Sequence, residues 1–194
     1  EPGYHEVLRL IEDSAVPVVA AVHGTVMGGG VETAIACHYR IAAEGTRFGF
    51  PEITLGIIPG AGGTQRMPRL IGLEPALDMM LSGKPLSAGQ ARDAGFVDAV
   101  VSADLIECAL AFARALLTRG AGPRRTRERS VAGGEKVAAV IAARRAQADK
   151  TMRNRNSPKG LLDAVEASVT RKFDDGIAFE RSLSNQVERA TEGR

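Results

Sequence analysis

The sequence predicts an α/β fold with a helical C-terminal extension, and three features of the chain support this prediction. An uninterrupted apolar run rich in Val at 16–22 is typical of a strand that is buried on both faces. Amphipathic helical stretches then alternate with strand-like runs as far as about residue 118. After a connector rich in Gly, Arg and Pro at 120–134, only helical patterns follow. We therefore expect an α/β core over residues 1–118 and a basic connector with a helical extension over 119–194.

Each element follows from its local pattern. The predicted strands are, in chain order, 16–22, 39–43 and 96–101. The predicted helices are one ending near Ile11, then 31–38, 64–71, 75–81, 88–94 and 105–118, followed by stretches near 135–152, 159–170 and 175–190. Ser87 and Asp104 are suitable N-caps for the helices that follow them, and Gly95 is a suitable terminator. The segment 47–63 contains seven Gly or Pro residues and predicts a long ordered loop, a kind of segment that often carries function.

Composition limits the classes of protein to which the chain can belong. It has 194 residues, of which 44% are hydrophobic and 25% are charged, as in globular proteins. No run of 18 apolar residues occurs, so we expect no transmembrane span. Cys37 and Cys108 lie in apolar helical stretches, which predicts reduced core cysteines and favours a reducing compartment. The histidines are too scattered to predict a metal site.

The net charge of +2 is unevenly distributed along the chain. Residues 119–160 contain twelve Lys or Arg residues against three Asp or Glu residues. This excess is consistent with a solvated basic helix and loop, and also with a surface that attracts an anionic ligand such as a phosphorylated cofactor. The same stretch lacks aromatic residues that could stack on bases, so we expect no nucleic-acid partner.

Three consecutive glycines, Gly28, Gly29 and Gly30, stand where the predicted helix at 31–38 begins. A helix N-terminus offers unpaired N–H groups and a partial positive charge, and glycines there allow a ligand to approach the backbone. The glycines can equally serve packing, and their spacing does not match a dinucleotide-binding fingerprint. Glu32 follows in the first turn, where the helix dipole alone also favours a carboxylate.

Glu52 follows Pro51 in an apolar part of the long loop, with Phe48, Phe50 and Ile53 as near neighbours in sequence. Apolar surroundings raise the pKa of a carboxyl group towards neutrality, which suits proton transfer. The alternative is that Glu52 is an exposed acid on a loop.

Glu32 and Glu52 can meet at one cleft, because the predicted strand at 39–43 returns the chain towards the start of the helix. Two carboxylates beside backbone N–H donors suit the addition of water across an activated double bond. The acid and base position the water and deliver a proton, while the N–H groups hold the enolate oxygen. The sequence therefore predicts an enzyme.

Four motifs carry a resemblance to a known family: VVAAVHG at 18–24, GGGVE at 28–32, FGFPE at 48–52 and GIIPGAGGTQR at 56–66. Over roughly residues 8–118 the chain resembles the crotonase, or enoyl-CoA hydratase/isomerase, family. The tail, with FDDG at 173–176, is similar to the end of the hydratase part of multifunctional β-oxidation proteins, in which a 3-hydroxyacyl-CoA dehydrogenase follows.

The resemblance implies a crotonase-type spiral of β-β-α units and reversible hydration of a trans-2-enoyl-CoA to a 3-hydroxyacyl-CoA. It implies that Gly29 donates an oxyanion N–H group to the thioester oxygen and that Gly60 lines the water site. Glu32 and Glu52 are then the paired acid–base residues that hold the water. Double-bond isomerisation and a catalytically silent binding module are the alternatives.

The resemblance also implies the partners of the chain. An acyl-CoA thioester is the substrate, hydration needs no cofactor or metal, and NAD is needed only where a dehydrogenase domain follows. A homo-oligomer or such a covalently attached domain is the implied assembly, in a bacterial cytoplasm or another reducing compartment such as the peroxisome. In the family the second oxyanion N–H group comes from a segment well upstream of the first glutamate. Only 31 residues precede Glu32, so we expect an N-terminally truncated chain.

Overall fold

The computed structural model describes residues 3–152 and 155–192, and it confirms an α/β chain with a helical C-terminal part. The strands are β1 (Val19–Val22), β2 (Thr25–Met27), β3 (Tyr39–Ala43), β4 (Arg47–Gly49), β5 (Leu86–Ser87) and β6 (Ala99–Val101). The helices are α1 (Tyr4–Glu12), α2 (Gly29–Ala36), α3 (Gly63–Ile71), α4 (Leu73–Ser82), α5 (Ala88–Asp93), α6 (Leu105–Thr118), α7 (Val137–Thr151), α8 (Ser157–Thr170) and α9 (Phe173–Glu192). Short 3-10 turns lie at Glu52–Leu55, Thr126–Glu128 and Gly134–Lys136.

The strands form two three-stranded sheets. In the first, β3 lies between β1 and β6 and runs parallel to both, with Val19 opposite Tyr39 and Ile41 opposite Ala99. In the second, β4 lies between β2, which is parallel to it, and β5, which is antiparallel. Parallel neighbours need a crossover connection, and α2 lies within the crossovers of both the β1–β3 and the β2–β4 pair. Helix α2 therefore follows a strand of the second sheet and leads into the central strand of the first sheet.

The strands differ from the sequence prediction in three respects. β1 is half-buried along its length rather than buried on both faces, because in the described part of the chain it pairs with β3 alone. Val16, at the start of the predicted run, is 66% exposed. The sequence does not predict β2, β4 or β5, which are two or three residues long and too short to show a period. β6 begins at Ala99, because the N–H groups of Phe96 and Val97 instead bond to the Ala91 carbonyl at the end of α5.

The predicted helices are confirmed, with shifts of a few residues at their ends. Ser87 forms a complete capping box with Gln90, and Asp104 accepts a hydrogen bond from the Glu107 N–H group at 2.9 Å. α2 begins two residues earlier than predicted. Its cap and first turn are therefore formed by the three consecutive glycines.

One hydrophobic core joins the strands to the C-terminal helices. Phe48 and Phe96 pack edge to face in it, with their ring centroids 4.8 Å apart. Leu161 and Val165 of α8 are buried in the same cluster. Helices of the predicted extension thus contribute to the core, while the division at residues 118 and 119 remains a prediction.

Helix α6 lies at the surface of the molecule. It buries Leu116 but leaves Ile106 and Leu117 exposed. Cys108 on this helix is half-buried rather than a core residue, whereas Cys37 is buried as predicted, and both thiols are free. Within the described residues, no helix combines the length and the apolar character that crossing a bilayer requires.

Candidate active site

The carboxyl ends of β2 and β4 bring the two predicted glutamates into one region. The two strands are parallel neighbours with Met27 opposite Gly49, and the Gly28 N–H group donates to the Gly49 carbonyl at 3.0 Å. Helix α2, which carries Glu32, begins directly after β2, and the 3-10 turn that starts at Glu52 follows β4. Ligand sites of α/β folds usually lie at this edge of a parallel sheet.

Gly28 has a backbone conformation that only glycine adopts readily, with φ +51° and ψ −118°. A side chain here would also collide with Glu52, because a Cβ atom would lie 2.7 Å from Glu52 Oε1. Gly29 and Gly30 then form the first turn of α2, where N–H groups have no partner within the helix. The Glu52 carboxyl group therefore lies against the backbone from which this turn starts.

The glycine-rich loop, defined here as residues 59–64 and including the first two residues of α3, holds Glu32 in place. Glu32 is 4% exposed, and its Oε1 atom accepts hydrogen bonds from the N–H groups of Ala61 and Gly63, both at 2.8 Å. Burial raises the pKa of Glu32, while these two hydrogen bonds and the positive charge of Arg66 oppose that shift. The carboxyl group has a fixed orientation, and its Oε2 atom stays outside this pair of hydrogen bonds.

Glu52 is buried without such support. It is 8% exposed, and its Oε2 atom is buried with no hydrogen-bond partner among the described residues. Burial, with a smaller contribution from the charge of Glu32, raises the pKa of Glu52 to about 7. The predicted rise in the pKa agrees with this burial, and the alternative of an exposed loop acid is wrong. A carboxyl group of this kind can take up and release a proton near neutral pH.

Gly60 and Gly63 of this loop have different neighbours. A Cβ atom at Gly63 would lie 2.8 Å from Phe50 Cε1 and 2.9 Å from Glu32 Oε1. A Cβ atom at Gly60 would instead lie 2.5 Å from Ser184 Oγ of α9. Gly63 is therefore adjacent to Glu32, whereas Gly60 packs against the last helix, and its place in a water site remains a prediction.

The sequence gives no indication of Tyr4, which lies beside the first turn of α2. Its hydroxyl group donates to the Gly29 carbonyl at 2.5 Å and lies 2.9 Å from Thr33 Oγ1. Burial raises the pKa of Tyr4, which keeps the hydroxyl proton available as a donor. Tyr4 is a single tyrosine on a short amphipathic helix, and no sequence pattern marks such a residue as part of a site.

A buried ion pair between Arg66 and Glu12 supports the glycine-rich loop. Arg66 donates to Glu12 Oε2 through Nη2 at 2.8 Å and through Nε at 3.1 Å, and it also donates to the Ala61 carbonyl at 3.3 Å. Glu12 Oε1 accepts the Arg127 N–H group at 2.9 Å. Both charges of the pair have hydrogen-bond partners, as burial of an ion pair requires. Arg66 ends the GIIPGAGGTQR motif, whereas Glu12 has no sequence signal.

Glu180 of α9 contacts the same loop from the other end of the chain. It is fully buried; its Oε1 atom accepts the Gly62 N–H group at 2.6 Å, and its Oε2 atom accepts the Thr64 N–H group at 2.9 Å. The Thr64 hydroxyl group also donates to Oε2. Burial raises the pKa of Glu180, and the negative charge of Glu32 adds to this shift.

Four arginines of the basic stretch at 119–160 are paired with acids from other parts of the chain. The ion pairs are Arg124 with Asp98, Arg127 with Asp13 and Asp174, Arg144 with Asp78, and Arg145 with Asp163 and Glu166. This pairing favours the interpretation as a solvated structural surface over the anion-binding one. Among residues 3–152 and 155–192, no group of three or more His, Cys, Asp or Glu side chains is placed to hold a metal ion.

The sequence matches a known protein family and several known proteins. The profile of the enoyl-CoA hydratase/isomerase family matches residues 1–168. The peroxisomal bifunctional enzyme of Cavia porcellus is 42% identical over 171 residues, which are 86% of this chain and 23% of that protein. The fatty acid oxidation complex subunit alpha of Vibrio parahaemolyticus is 36% identical over 195 residues, or 97% of this chain and 28% of the relative. The chain thus spans about a quarter of the length of these relatives.

Solved structures agree in fold. An enoyl-CoA hydratase from Bacillus anthracis has a TM-score of 0.58 at 29% identity, with 96% of this chain and 59% of that chain covered. DspI from Pseudomonas aeruginosa has a TM-score of 0.57 at 34% identity, over 59% of this chain and 48% of that chain. The predicted spiral of β-β-α units is thereby confirmed as the fold.

Proposed function

Because the chain belongs to the enoyl-CoA hydratase/isomerase family, we propose that the intact protein adds water reversibly to trans-2-enoyl-CoA thioesters. The product is a 3-hydroxyacyl-CoA, and the reaction belongs to fatty acid β-oxidation. The observation that supports this proposal best is the contrast between two buried carboxyl groups beside one helix N-terminus. Glu32 is fixed by two backbone donors, whereas Glu52 has an unpaired oxygen and a pKa of about 7.

The roles follow from these surroundings. The Gly29 N–H group, in the first turn of α2, holds the thioester oxygen as negative charge develops on it. Glu32 acts as the carboxylate that orients the water and accepts its proton, while the hydroxyl oxygen bonds to C3. Glu52 acts as the acid that delivers a proton to C2. The proton that Glu32 gains and the proton that Glu52 loses balance, and exchange with solvent restores both groups.

The cofactor and location belong to the same proposal. Hydration by two carboxyl groups requires neither a metal nor a redox cofactor, and NAD enters only where a dehydrogenase domain follows in the intact protein. The names of the relatives support a multifunctional fatty-acid oxidation protein, in a bacterial cytoplasm or a peroxisome. A homo-oligomer or an attached dehydrogenase domain is the proposed assembly.

Double-bond isomerisation is the second candidate, and one observation favours it. A group with a pKa of about 7, such as Glu52, can remove a proton from one carbon and return it to another without help from Glu32. Dependence of turnover on both glutamates therefore distinguishes hydration from isomerisation.

The test is the loss of ultraviolet absorbance of a trans-2-enoyl-CoA in the presence of the intact protein. Glu32→Gln and Glu52→Gln should each reduce hydration by about 10²- to 10⁴-fold, the range for general acid–base groups. Glu166→Gln, which alters a partly exposed ion pair far along the chain, is the matched control and should retain wild-type turnover.

Three results would count against hydration. Wild-type protein that shifts the double bond of a trans-3-enoyl-CoA but does not hydrate is an isomerase. Wild-type protein that binds acyl-CoA without any turnover is a silent module. Wild-type turnover in a Glu32→Gln variant would show that the paired-carboxylate mechanism is wrong.

A further inference from the structure

Four consecutive backbone N–H groups of the glycine-rich loop alternate between two buried carboxyl groups. The N–H groups of Ala61 and Gly63 donate to Glu32, and those of Gly62 and Thr64 donate to Glu180. Because alternate donors serve different acceptors, the two glutamates lie on opposite sides of the loop. Glu32 contacts the loop from the first turn of α2, and Glu180 contacts it from α9.

Three residues on one face of α9 contact this loop or the neighbouring Gln65. Gly176, Glu180 and Ser184 are spaced four residues apart, which places them one above another on the helix. A Cβ atom at Gly176 would collide with Gln65 Oε1, so a side chain there would require Gln65 to move. At the other end, Ser184 closes on Gly60. This face of α9 therefore packs against Gly60, Gly62 and Thr64 and, at one end, against Gln65 of α3.

We infer that Glu180 is a positioning residue for the acid–base site, because it fixes the loop whose other N–H groups orient Glu32. Its catalytic consequence rests on the proposed function, whereas its contacts with Gly62 and Thr64 are independent of that function. If Glu180 releases the loop, the donors at Ala61 and Gly63 lose their fixed direction. The Glu32 carboxyl group then samples orientations in which it cannot align the water.

The chemistry of the position supports this role. A fully buried carboxyl group is costly unless hydrogen bonds compensate it, and Glu180 accepts three of them from two adjoining parts of one loop. An apolar residue of similar volume would fill the space but would leave the N–H groups of Gly62 and Thr64 buried without acceptors. The loop therefore requires a side chain of α9 with two acceptor oxygens, one for Gly62 and one for Thr64.

The test is Glu180→Gln in the intact protein. Glutamine keeps the volume but has one acceptor oxygen, so its NH₂ group must face either the Gly62 or the Thr64 N–H group. Two readouts are needed: hydrogen–deuterium exchange of the loop amides, and kcat and KM for a trans-2-enoyl-CoA. We expect exchange at Ala61 and Gly63 to accelerate by about 10-fold or more, and kcat to fall about 10- to 100-fold with KM changed less than about 2-fold.

Val187→Ala is the matched control, because Val187 packs α9 against Gly160 of α8. It should lower the melting temperature yet leave kcat and loop exchange unchanged. Wild-type exchange at Ala61 and Gly63 in Glu180→Gln overturns the inference, as does an equal fall in kcat for Val187→Ala. Accelerated exchange in a protein whose wild type does not hydrate leaves the positioning intact and refutes only the proposed function.

Discussion

Glu32 and Glu52 are both nearly buried and follow neighbouring parallel strands, yet their surroundings are opposite. Glu32 accepts two N–H groups from a loop 29 and 31 residues further along the chain. For Glu52, the opposing contribution that lowers the pKa comes from its own backbone N–H group, and it is too small to offset burial. Burial raises the pKa of both carboxyl groups, but two hydrogen bonds from a distant loop oppose the rise at Glu32, whereas Glu52 lacks them and its pKa reaches about 7.

The largest effect that we expect comes from crowding the fixed carboxyl group. Gly63→Ala places a Cβ atom 2.9 Å or closer to Phe50, Pro59 and Glu32, which cannot all move. Turnover should fall by about 10²-fold or more, and overpacking should cost about 1–3 kcal/mol of stability. Steady-state kinetics and thermal unfolding measure both.

Gly89→Ala is the control for Gly63→Ala. Its added Cβ atom would have Ser87 Oγ, at 3.9 Å, as its nearest neighbour, so the change should be neutral in activity. Normal turnover in Gly63→Ala would mean that the position of Glu32 does not matter for the reaction.

The next effect concerns the other carboxyl group and appears in stability. The pKa of Glu52 is about 7 in the folded protein against an ordinary 4.5, so the folded state binds more protons between these pH values. Its contribution to stability is therefore present below pH 4.5 and is lost as the pH rises to 7. Glu52→Gln lacks this loss, so its stability relative to wild type should rise by roughly 3 kcal/mol as the pH increases from 4.5 to 8.

Thermal unfolding of both proteins at several pH values checks this expectation. Glu107→Gln, at an exposed position of α6, should follow the wild-type curve throughout. A constant difference between Glu52→Gln and wild type would show that Glu52 titrates normally, and the contrast with Glu32 would disappear.

A smaller effect tests the contact between Glu52 and the turn before α2. Gly28→Ala adds a Cβ atom 2.7 Å from Glu52 Oε1, which can rotate away, and it strains a backbone with φ +51°. We expect about a 10-fold loss of turnover and about 1–3 kcal/mol of strain. Gly24→Ala, with φ +70° and open space around it, carries strain alone. Equal losses of turnover in the two variants would show that the contact with Glu52 is irrelevant.

The smallest effect concerns the hydroxyl group beside Gly29. Tyr4→Phe removes the hydrogen bond to the Gly29 carbonyl, which is worth about 1 kcal/mol, and turnover should fall only a few-fold. Tyr39→Phe removes a comparable bond to the Gly122 carbonyl, away from the glutamates, and should leave turnover unchanged. A loss of similar size in both variants would indicate a general effect on folding.

The parts of this site that lie close together in sequence could be predicted, and the parts that are brought from far along the chain could not. Glu32, Glu52 and the glycines belong to segments with strong local signals: a glycine run at a helix start and an apolar loop rich in Gly and Pro. Tyr4 and Glu180 reach the same region only through packing of α1 and α9. A single tyrosine or glutamate on a helix face looks like any other, because its partner is not within one turn.

The fold follows the same division. Helix caps at Ser87 and Asp104 were predictable because the capping residue and its partner are three positions apart. β2 and β4 were not, since three residues cannot show a period and their pairing depends on a crossover. The half-buried state of β1 also depends on which strands pair with it, which is a property of the sheet rather than of the apolar run at 16–22.

The bond between Gly62 and Glu180 joins residues 118 positions apart, and this distance matters for synthesis of the protein. A ribosome adds about 5–20 residues each second, so the loop leaves the ribosome on the order of ten seconds before the carboxyl group that holds it. During that interval the Glu180 carboxyl group is not available to the amides of Gly62 and Thr64. Chains that stop short of α9 therefore carry Glu32 and Glu52 but lack the carboxyl group that accepts the N–H groups of Gly62 and Thr64.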